Sequence, residues 1–139
     1  FHVVFTGSSQ SSTAQAVGHV RELFVDIDFK QRMLAQFEEI VLRILNSIRE
    51  EDTEDLILAI NKNHSLLSEL GLSSDNVDAF CREIKLVGGA CKLTGAGSVV
   101  GDSVGALLVF GVGFEELKKL CSSYQYRLLS SDLSVGGVL

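Results

Sequence analysis

The chain has no proline, only three cysteines and no long apolar run. Average usage would place about seven prolines in this length, and the sequence offers no physical reason for their absence. No apolar run approaches the roughly 20 residues that a membrane-spanning helix needs. Cys81, Cys91 and Cys121 are odd in number and lack metal-ligand spacing. This pattern favours a reducing, cytoplasmic compartment.

The composition is that of an ordinary globular domain. Hydrophobic residues make up 46% of the 139 positions and charged residues 22%, which excludes a disordered, collagen-like or coiled-coil protein. Eighteen acidic against twelve basic residues give a net charge of -6. That charge argues against duplex nucleic acid or an anionic membrane as the main partner. With no linker and no internal repeat, residues 1–139 are predicted to form one domain.

Apolar spacing predicts strands at both ends and helices between. The run Phe1–Phe5 predicts a buried strand ending at Thr6-Gly7, followed by the polar loop Ser8–Ser12 with a capping serine. Four helices are then predicted, beginning at Thr13, near Lys30, at Asp52 or Thr53 with a break near Asn63-His64, and at Ser73 or Ser74. The later segments predict a strand Ala90–Thr94, a loop Gly95–Gly105, a strand Val104–Phe110, a helix Phe114–Leu120, a strand Gln125–Ser130 and a tail Asp132–Leu139.

The second helix carries the clearest periodicity. Its apolar residues lie three and four apart: Met33, Leu34, Phe37, Ile40, Val41, Ile44, Leu45 and Ile48. We interpret this stripe as core packing, with the helix against the sheet or against a neighbouring subunit, so that a homodimer is one expected assembly.

The order of elements predicts the fold. With the four helices taken as one enlarged crossover, the chain follows the split β-α-β-β-α-β pattern of ferredoxin-like folds. The predicted class is α+β, with an antiparallel sheet, helices on one face and extra helices in the first crossover.

The segment Lys92–Ser98 is the main candidate site. A strand leads into two glycines one residue apart and then a serine, and exposed amides in such a loop can hold a phosphate. The spacing matches neither a P-loop nor a dinucleotide fingerprint. A plain glycine-rich turn between paired strands therefore stays open as an alternative.

Other polar residues have weaker functional interpretations. Asp102 either holds a metal or substrate hydroxyl or, by the commoner use of Asp beside Gly and Ser, caps its own turn. Ser12 and Thr13 either face a cleft or cap a helix. His64 is interpreted as structural, because no carboxylate or serine is placed to complete a catalytic set. Cys91 is expected to be a small buried strand residue. We predict no catalytic residue and no metal site in this chain.

Two segments carry a resemblance to a known family. Gly89–Gly97 resembles the third conserved motif of the GHMP small-molecule kinases, and Asn63–Leu72 resembles the helix and turn before that motif in the superfamily's mevalonate kinase family. The opening strand with Thr6-Gly7, Ser12-Thr13 and Val17 is similar to the start of the family's C-terminal domain. Together these segments span most of the chain in the family's order.

The resemblance implies a two-domain, ATP- and Mg²⁺-dependent kinase of which this chain is the C-terminal half. A missing N-terminal kinase domain would supply the main ATP-phosphate loop and the acidic catalytic residue, and the substrate would be a small alcohol. The start at Phe1, with no initiator methionine or leader, agrees with a piece of a longer chain. We expect it to be inactive alone and to bind no cofactor alone.

Carried over by position, the phosphate and substrate loop comprises Thr94, Gly95, Ala96, Gly97 and Ser98. The sequence departs from the family after Gly97, where further glycines are usual and Ser98–Ser103 stand instead. Phosphomevalonate kinase and diphosphomevalonate decarboxylase are alternatives within the superfamily. Outside it, the alternative is a non-enzymatic ferredoxin-like ligand-binding or assembly module. RNA binding is disfavoured because the first and third strands lack a basic-aromatic motif.

Overall fold

The computed structural model describes residues 1–129. Nine elements follow one another: β1 (His2–Phe5), α1 (Thr13–Leu23), α2 (Ile27–Arg49), α3 (Thr53–Glu69), α4 (Asp75–Leu86), β2 (Ala90–Thr94), β3 (Ala106–Phe110), α5 (Phe114–Tyr124) and β4 (Arg127–Leu129). This order confirms the predicted fold class. The predicted strand end at Ser130 and the tail Asp132–Leu139 lie outside the described residues. No helix within residues 1–129 combines the length and hydropathy needed to cross a bilayer.

The four strands form one antiparallel sheet in the order β2-β3-β1-β4. Val4 in β1 lies opposite Leu107 in β3 and Leu128 in β4, and Leu107 lies opposite Leu93 in β2. Val4, Leu107 and Leu93 are fully buried on the inner face, which the helices cover. Side chains alternate between the two faces along a strand. The residues directly before and after each of these buried ones therefore lie on the opposite, outer face.

Short polar side chains cap four of the helices, and three of these caps, those of α1, α3 and α4, were predicted. The Ser12 hydroxyl accepts a hydrogen bond from the Gln15 backbone amide, and the Gln15 side-chain oxygen accepts one from the Ser12 backbone amide. The two bonds form a capping box. The corresponding caps of α2, α3 and α4 are Asp26, Asp52 and Ser74. Each satisfies an amide that has no partner in the first helical turn.

The predicted stripe of α2 is only partly a core face. Met33 and Ile40 are buried, but four of its other members are more than half exposed: Leu34, Val41, Leu45 and Ile48. The interpretation of the whole stripe as packing against the sheet is therefore wrong, and its alternative, packing against a neighbouring subunit, stays a prediction. The physical reason is that α2 packs along α3 instead of lying flat on the sheet, and a helix-helix contact buries a narrow line of side chains.

Helix α3 covers the free edge of strand β2. The Asn61 side chain accepts from the Cys91 amide at 3.1 Å and donates to the Gly89 carbonyl at 3.1 Å. One helical turn later, Nδ1 of His64 accepts from the Leu93 amide at 3.1 Å. These bonds satisfy backbone groups that an edge strand leaves unpaired. The predicted break near Asn63-His64 is wrong, because α3 runs unbroken past both residues.

Candidate functional site

The loop after β2 bends at two glycines. Gly95 has a φ of +92° and Gly97 a φ of +73°, conformations that glycine adopts without a steric penalty. Thr94 and Gly95 are exposed, Ala96 is half-buried, and Gly97 and Ser98 are buried. The five residues singled out from the sequence therefore divide into an exposed first part and a buried second part.

The two parts of the loop have different free hydrogen-bonding groups. Among residues 1–129, the Thr94 hydroxyl and the amides of Gly95 and Ala96 have no hydrogen-bond partner. The Ser98 amide, in contrast, donates to the Leu72 carbonyl at 3.0 Å. The groups open to an anion are therefore those of Thr94, Gly95 and Ala96, since the amide of Ser98 is already used within the fold.

The serine-rich loop after β1 holds the buried part in place. The Ser9 hydroxyl donates to the Gly97 carbonyl at 2.8 Å, and Oγ of Ser98 accepts from the Ser11 amide at 3.1 Å. Oγ of Ser11 accepts from the Val99 amide at 3.1 Å. Sequence reasoning missed Ser9 and Ser11, and the polar run Ser8–Ser12 was the only signal that could have indicated them.

The remaining candidates lie near this loop but do not join the exposed part. The Asp102 amide donates to Oε1 of Gln10 at 2.9 Å, and its carbonyl accepts from the Ser74 hydroxyl at 2.9 Å. The Asp102 carboxylate has no hydrogen-bond partner among the described residues, so the predicted side-chain cap of its own turn is not formed. Ser12 and Thr13 begin α1 at exposed positions. Residues 1–129 contain no group of His, Cys, Asp and Glu arranged to hold a metal ion.

Two concave regions lie away from the exposed loop. A groove of about 620 Å³ runs between α2, α3 and α4, and a polar cleft of about 410 Å³ is lined by Thr6, Asp102, Ser103 and Tyr126 among others. Burial raises the pKa of Tyr126 to about 12. Neither region is lined by any residue from Thr94 to Ser98. These two concave regions thus do not enclose a ligand at the glycine loop.

A buried polar cluster stands behind β2. The His64 ring donates through Nε2 to Oδ1 of Asp78 at 2.8 Å, and the Ser68 hydroxyl donates to Oδ2 at 2.6 Å. With Nδ1 accepting from the Leu93 amide, both nitrogens of His64 are used, which supports its structural role. The sequence did not indicate the carboxylate of Asp78, which approaches from the next helix, fourteen residues along the chain, but the Ser68 hydroxyl bonds to Asp78 and not to the ring, so these residues form no catalytic set.

The cysteine beside the loop is part of this packing. Cys91 is fully buried, as predicted, and its sulfur lies 3.0 Å from that of Cys81 in α4. The hydrogen bond with the Cys91 thiol, and then burial, raise the pKa of the Cys81 thiol. A thiol held in its neutral form is a poor nucleophile, which agrees with a packing role for both cysteines.

Replacing Asp78 by asparagine should destabilise the fold in a pH-dependent way. Burial opposes ionisation of Asp78, but hydrogen bonds from Ser68 and His64 outweigh it and lower its pKa. A lowered carboxylate pKa adds stability above the unfolded value of about 4, and this is lost as pH falls through the folded value. We expect a loss of about 1–2 kcal/mol at pH 7, which disappears in acid. Urea unfolding across pH measures it.

The matched control is Asp75→Asn, at an exposed position in the first turn of the same helix. We expect this change to alter stability by less than about 0.5 kcal/mol. A loss in Asp78→Asn that does not depend on pH would contradict the assignment, since it would show that shape and not charge matters at this position.

The chain is similar in sequence to a mevalonate kinase. It is 32% identical over 130 residues to the mevalonate kinase of Saccharolobus solfataricus, covering 92% of this chain and 39% of that protein. The chain thus spans about two fifths of the length of this relative. No protein-family model matches the chain.

Solved structures show the same fold. The Lin0012 protein from Listeria innocua has a TM-score of 0.77 at 24% identity, over 93% of this chain and 38% of that one. The Leishmania major mevalonate kinase, solved with R-mevalonate, has a TM-score of 0.72 at 19% identity, over 89% and 37%. At these identities the likeness establishes the fold alone. In sequence and in fold the chain resembles the C-terminal domain of the GHMP kinase superfamily, and the Saccharolobus relative and the second of these structures are mevalonate kinases.

Proposed function

We propose that this chain is the C-terminal domain of an ATP-dependent kinase that phosphorylates a hydroxyl group of mevalonate. The observation that carries the proposal is its similarity to a mevalonate kinase along 92% of its length. The glycine loop after β2 lies within that length. An N-terminal kinase domain outside this chain would bind ATP and Mg²⁺ and supply the acidic catalytic residue.

The exposed part of the loop is suited to phosphoryl transfer. Such reactions depend chiefly on positioning and on stabilising charge as it spreads over phosphate oxygens. Amides that are already oriented, such as those of Gly95 and Ala96, can donate to such oxygens with little rearrangement. The Thr94 hydroxyl stands beside them as a further donor. Gly97 and Ser98 act through their packing, which fixes the bend.

Kinase activity should require the whole protein. The assay is ADP release from ATP and Mg²⁺, with mevalonate, phosphomevalonate or diphosphomevalonate as the second substrate. We expect release with mevalonate by the whole protein and none by residues 1–139 alone. A preference for a phosphorylated substrate would favour phosphomevalonate kinase or diphosphomevalonate decarboxylase. Absence of turnover with all three would favour a non-enzymatic module.

Within the whole protein, Thr94→Val should lower kcat/KM for mevalonate by about 10-fold, a loss that corresponds to about 1.4 kcal/mol. The change removes a hydroxyl that has no partner in the fold and keeps the β-branched shape. Stability should therefore be nearly unchanged. Thr53→Val, at the exposed first residue of α3, is the control and should leave kcat/KM unchanged. Equal activity of the two variants would remove Thr94 from the site.

A further inference from the structure

The outer face of the sheet, opposite the core, is apolar and only partly covered. Val3 in β1 lies across from Leu108 in β3 and Leu129 in β4 on this face. Apart from the fully buried Ala90 at its β2 border, its apolar members are half-buried or exposed. We define the open face as Phe1, Val3, Phe5, Ala106, Leu108, Phe110 and Leu129. An antiparallel sheet that faces water on one side normally carries polar residues there.

Only one border of this face is covered within residues 1–129. Leu56 and Ile60 of α3 reach over the edge of the sheet to pack against Ala90 and Phe110. The Phe1 and Phe110 rings stack at that end, with centroids 4.7 Å apart. The rows through Val3 and Phe5 have no helix above them. A contiguous apolar surface of this kind marks an interaction site.

Two cations lie on the same face beside the apolar residues. Lys92 is across from Leu108, and burial lowers the pKa of its half-buried ammonium. The guanidinium of Arg127 lies 5.5 Å from the centre of the Phe5 ring. Among residues 1–129 neither cation has a carboxylate within 4.0 Å. The chain as a whole has a net charge of -6, but these two residues make the two edges of the open face locally positive.

We propose that the remainder of the full-length protein packs on the open face and places a carboxylate against Lys92. This inference rests on the proposed function, in which the chain is one domain of a longer kinase. The sequence relative is long enough for such an occupant, since the chain covers only 39% of it. A layer that removes the remaining water from this half-buried ammonium without pairing it would leave a buried, uncompensated charge, which is strongly destabilising, so the covering layer is expected to bring a carboxylate.

The position of the glycine loop supports this choice of occupant. Thr94 lies on the outer face, as Lys92 does two residues earlier in the same strand. Ala106 is the neighbour of Thr94 in β3, and Phe5 is the neighbour of Ala106 in β1. A domain packed on the open face would therefore stand beside the free groups of Thr94 and Gly95. The exposed stripe of α2 is the rival surface. It lies on a helix that packs along α3, and the α2 side chains that bond across to another element pair with Glu69 and Asp55 of α3 and not with this loop.

The test compares Leu108→Glu with Val41→Glu, a matched change on the exposed stripe of α2, in the whole protein. Domain coupling is read from calorimetric unfolding and from the rate of protease cleavage between the domains. The unaltered protein should unfold in one transition. Leu108→Glu should split that transition in two and speed cleavage at least 10-fold. Val41→Glu should do neither.

Circular dichroism shows whether Leu108→Glu folds. If it does not, Lys92→Glu is the second variant that tests the same contact between the domains. We expect it to speed cleavage between the domains about 3- to 10-fold at low salt, and less at high salt. The control is Lys118→Glu, at an exposed position of α5, which should leave the rate of cleavage between the domains unchanged.

Three results would overturn the proposal. One is decoupling by Val41→Glu but not by Leu108→Glu. Another is independent unfolding of the two domains in the unaltered protein. The third is a dimer in sedimentation that Leu108→Glu dissociates, which would assign the face to a second copy. None of these readouts uses activity, so an inactive protein with coupled domains would contradict the proposed function alone.

Discussion

Replacing Gly97 by alanine should lower the free energy of unfolding by about 3 kcal/mol or more. Its φ of +73° costs any other residue about 1–2 kcal/mol. The added Cβ would also overlap the Leu72 carbonyl oxygen and lie 2.7 Å from a Leu93 methyl group. The Leu72 oxygen accepts the Ser98 amide, so a shift that relieves the overlap weakens that hydrogen bond as well. Urea unfolding of the variant measures the sum.

Gly95→Ala separates the two causes. Gly95 also has a positive φ, at +92°, but a Cβ there would meet no atom within 4 Å. We therefore expect this variant to lose only about 1–2 kcal/mol, the conformational cost alone. An equal decrease in the free energy of unfolding in the two variants would contradict this. It would show that the backbone at Leu72 can move away from an added Cβ without destabilising the fold, and that Gly97 does not fix the loop by packing.

Local signals predicted much of the fold. The bounds Ala90–Thr94 of the second strand match the structure, because five residues between two glycines suit a strand and are too few for a helix of ordinary length. Ser12, Asp52 and Ser74 cap helices where the sequence places them. A cap is a contact over three residues, so its pattern is contained in the sequence itself.

The features of the fold that the sequence did not predict depend on contacts between residues far apart in the chain. The pairing of His64 with Asp78 depends on how α3 and α4 lie beside β2, and no spacing in the sequence encodes it. The same holds for α2, where periodicity correctly predicted a helix but could not say that Val41 and Ile48 stay exposed. Periodicity reports which residues share a face, and only packing decides how wide a part of that face is covered.

The candidate site shows the same division. The sequence located the glycine loop, but Gly95 and Gly97 look equivalent in it. Their different roles come from Leu72, which lies against Gly97 and leaves Gly95 free. Ser9 and Ser11 were missed for a related reason. Their bonds to Gly97 and Val99 join loops about 88 residues apart.

Replacing Phe80 by alanine is the second change with a large expected effect. Phe80 is fully buried in α4, and its ring meets Tyr124 edge-on at 5.3 Å and Tyr126 at 5.2 Å between centroids. Its loss should lower the free energy of unfolding by about 3–5 kcal/mol, through lost burial and the cavity left behind. Phe114→Ala is the control, since that ring is 48% exposed, and it should cost about 1 kcal/mol.

A second measurement tests whether the loss comes from this aromatic cluster. The chain has two tyrosines and no tryptophan, and both tyrosines contact Phe80, so tyrosine emission reports on the cluster directly. A cavity at residue 80 should admit small solutes and raise acrylamide quenching of the folded variant, whereas Phe114→Ala should not. Large destabilisation with unchanged quenching would mean that α4 and α5 close over the gap. In that case the aromatic cluster would not be the rigid link between these helices and β4 that its geometry indicates.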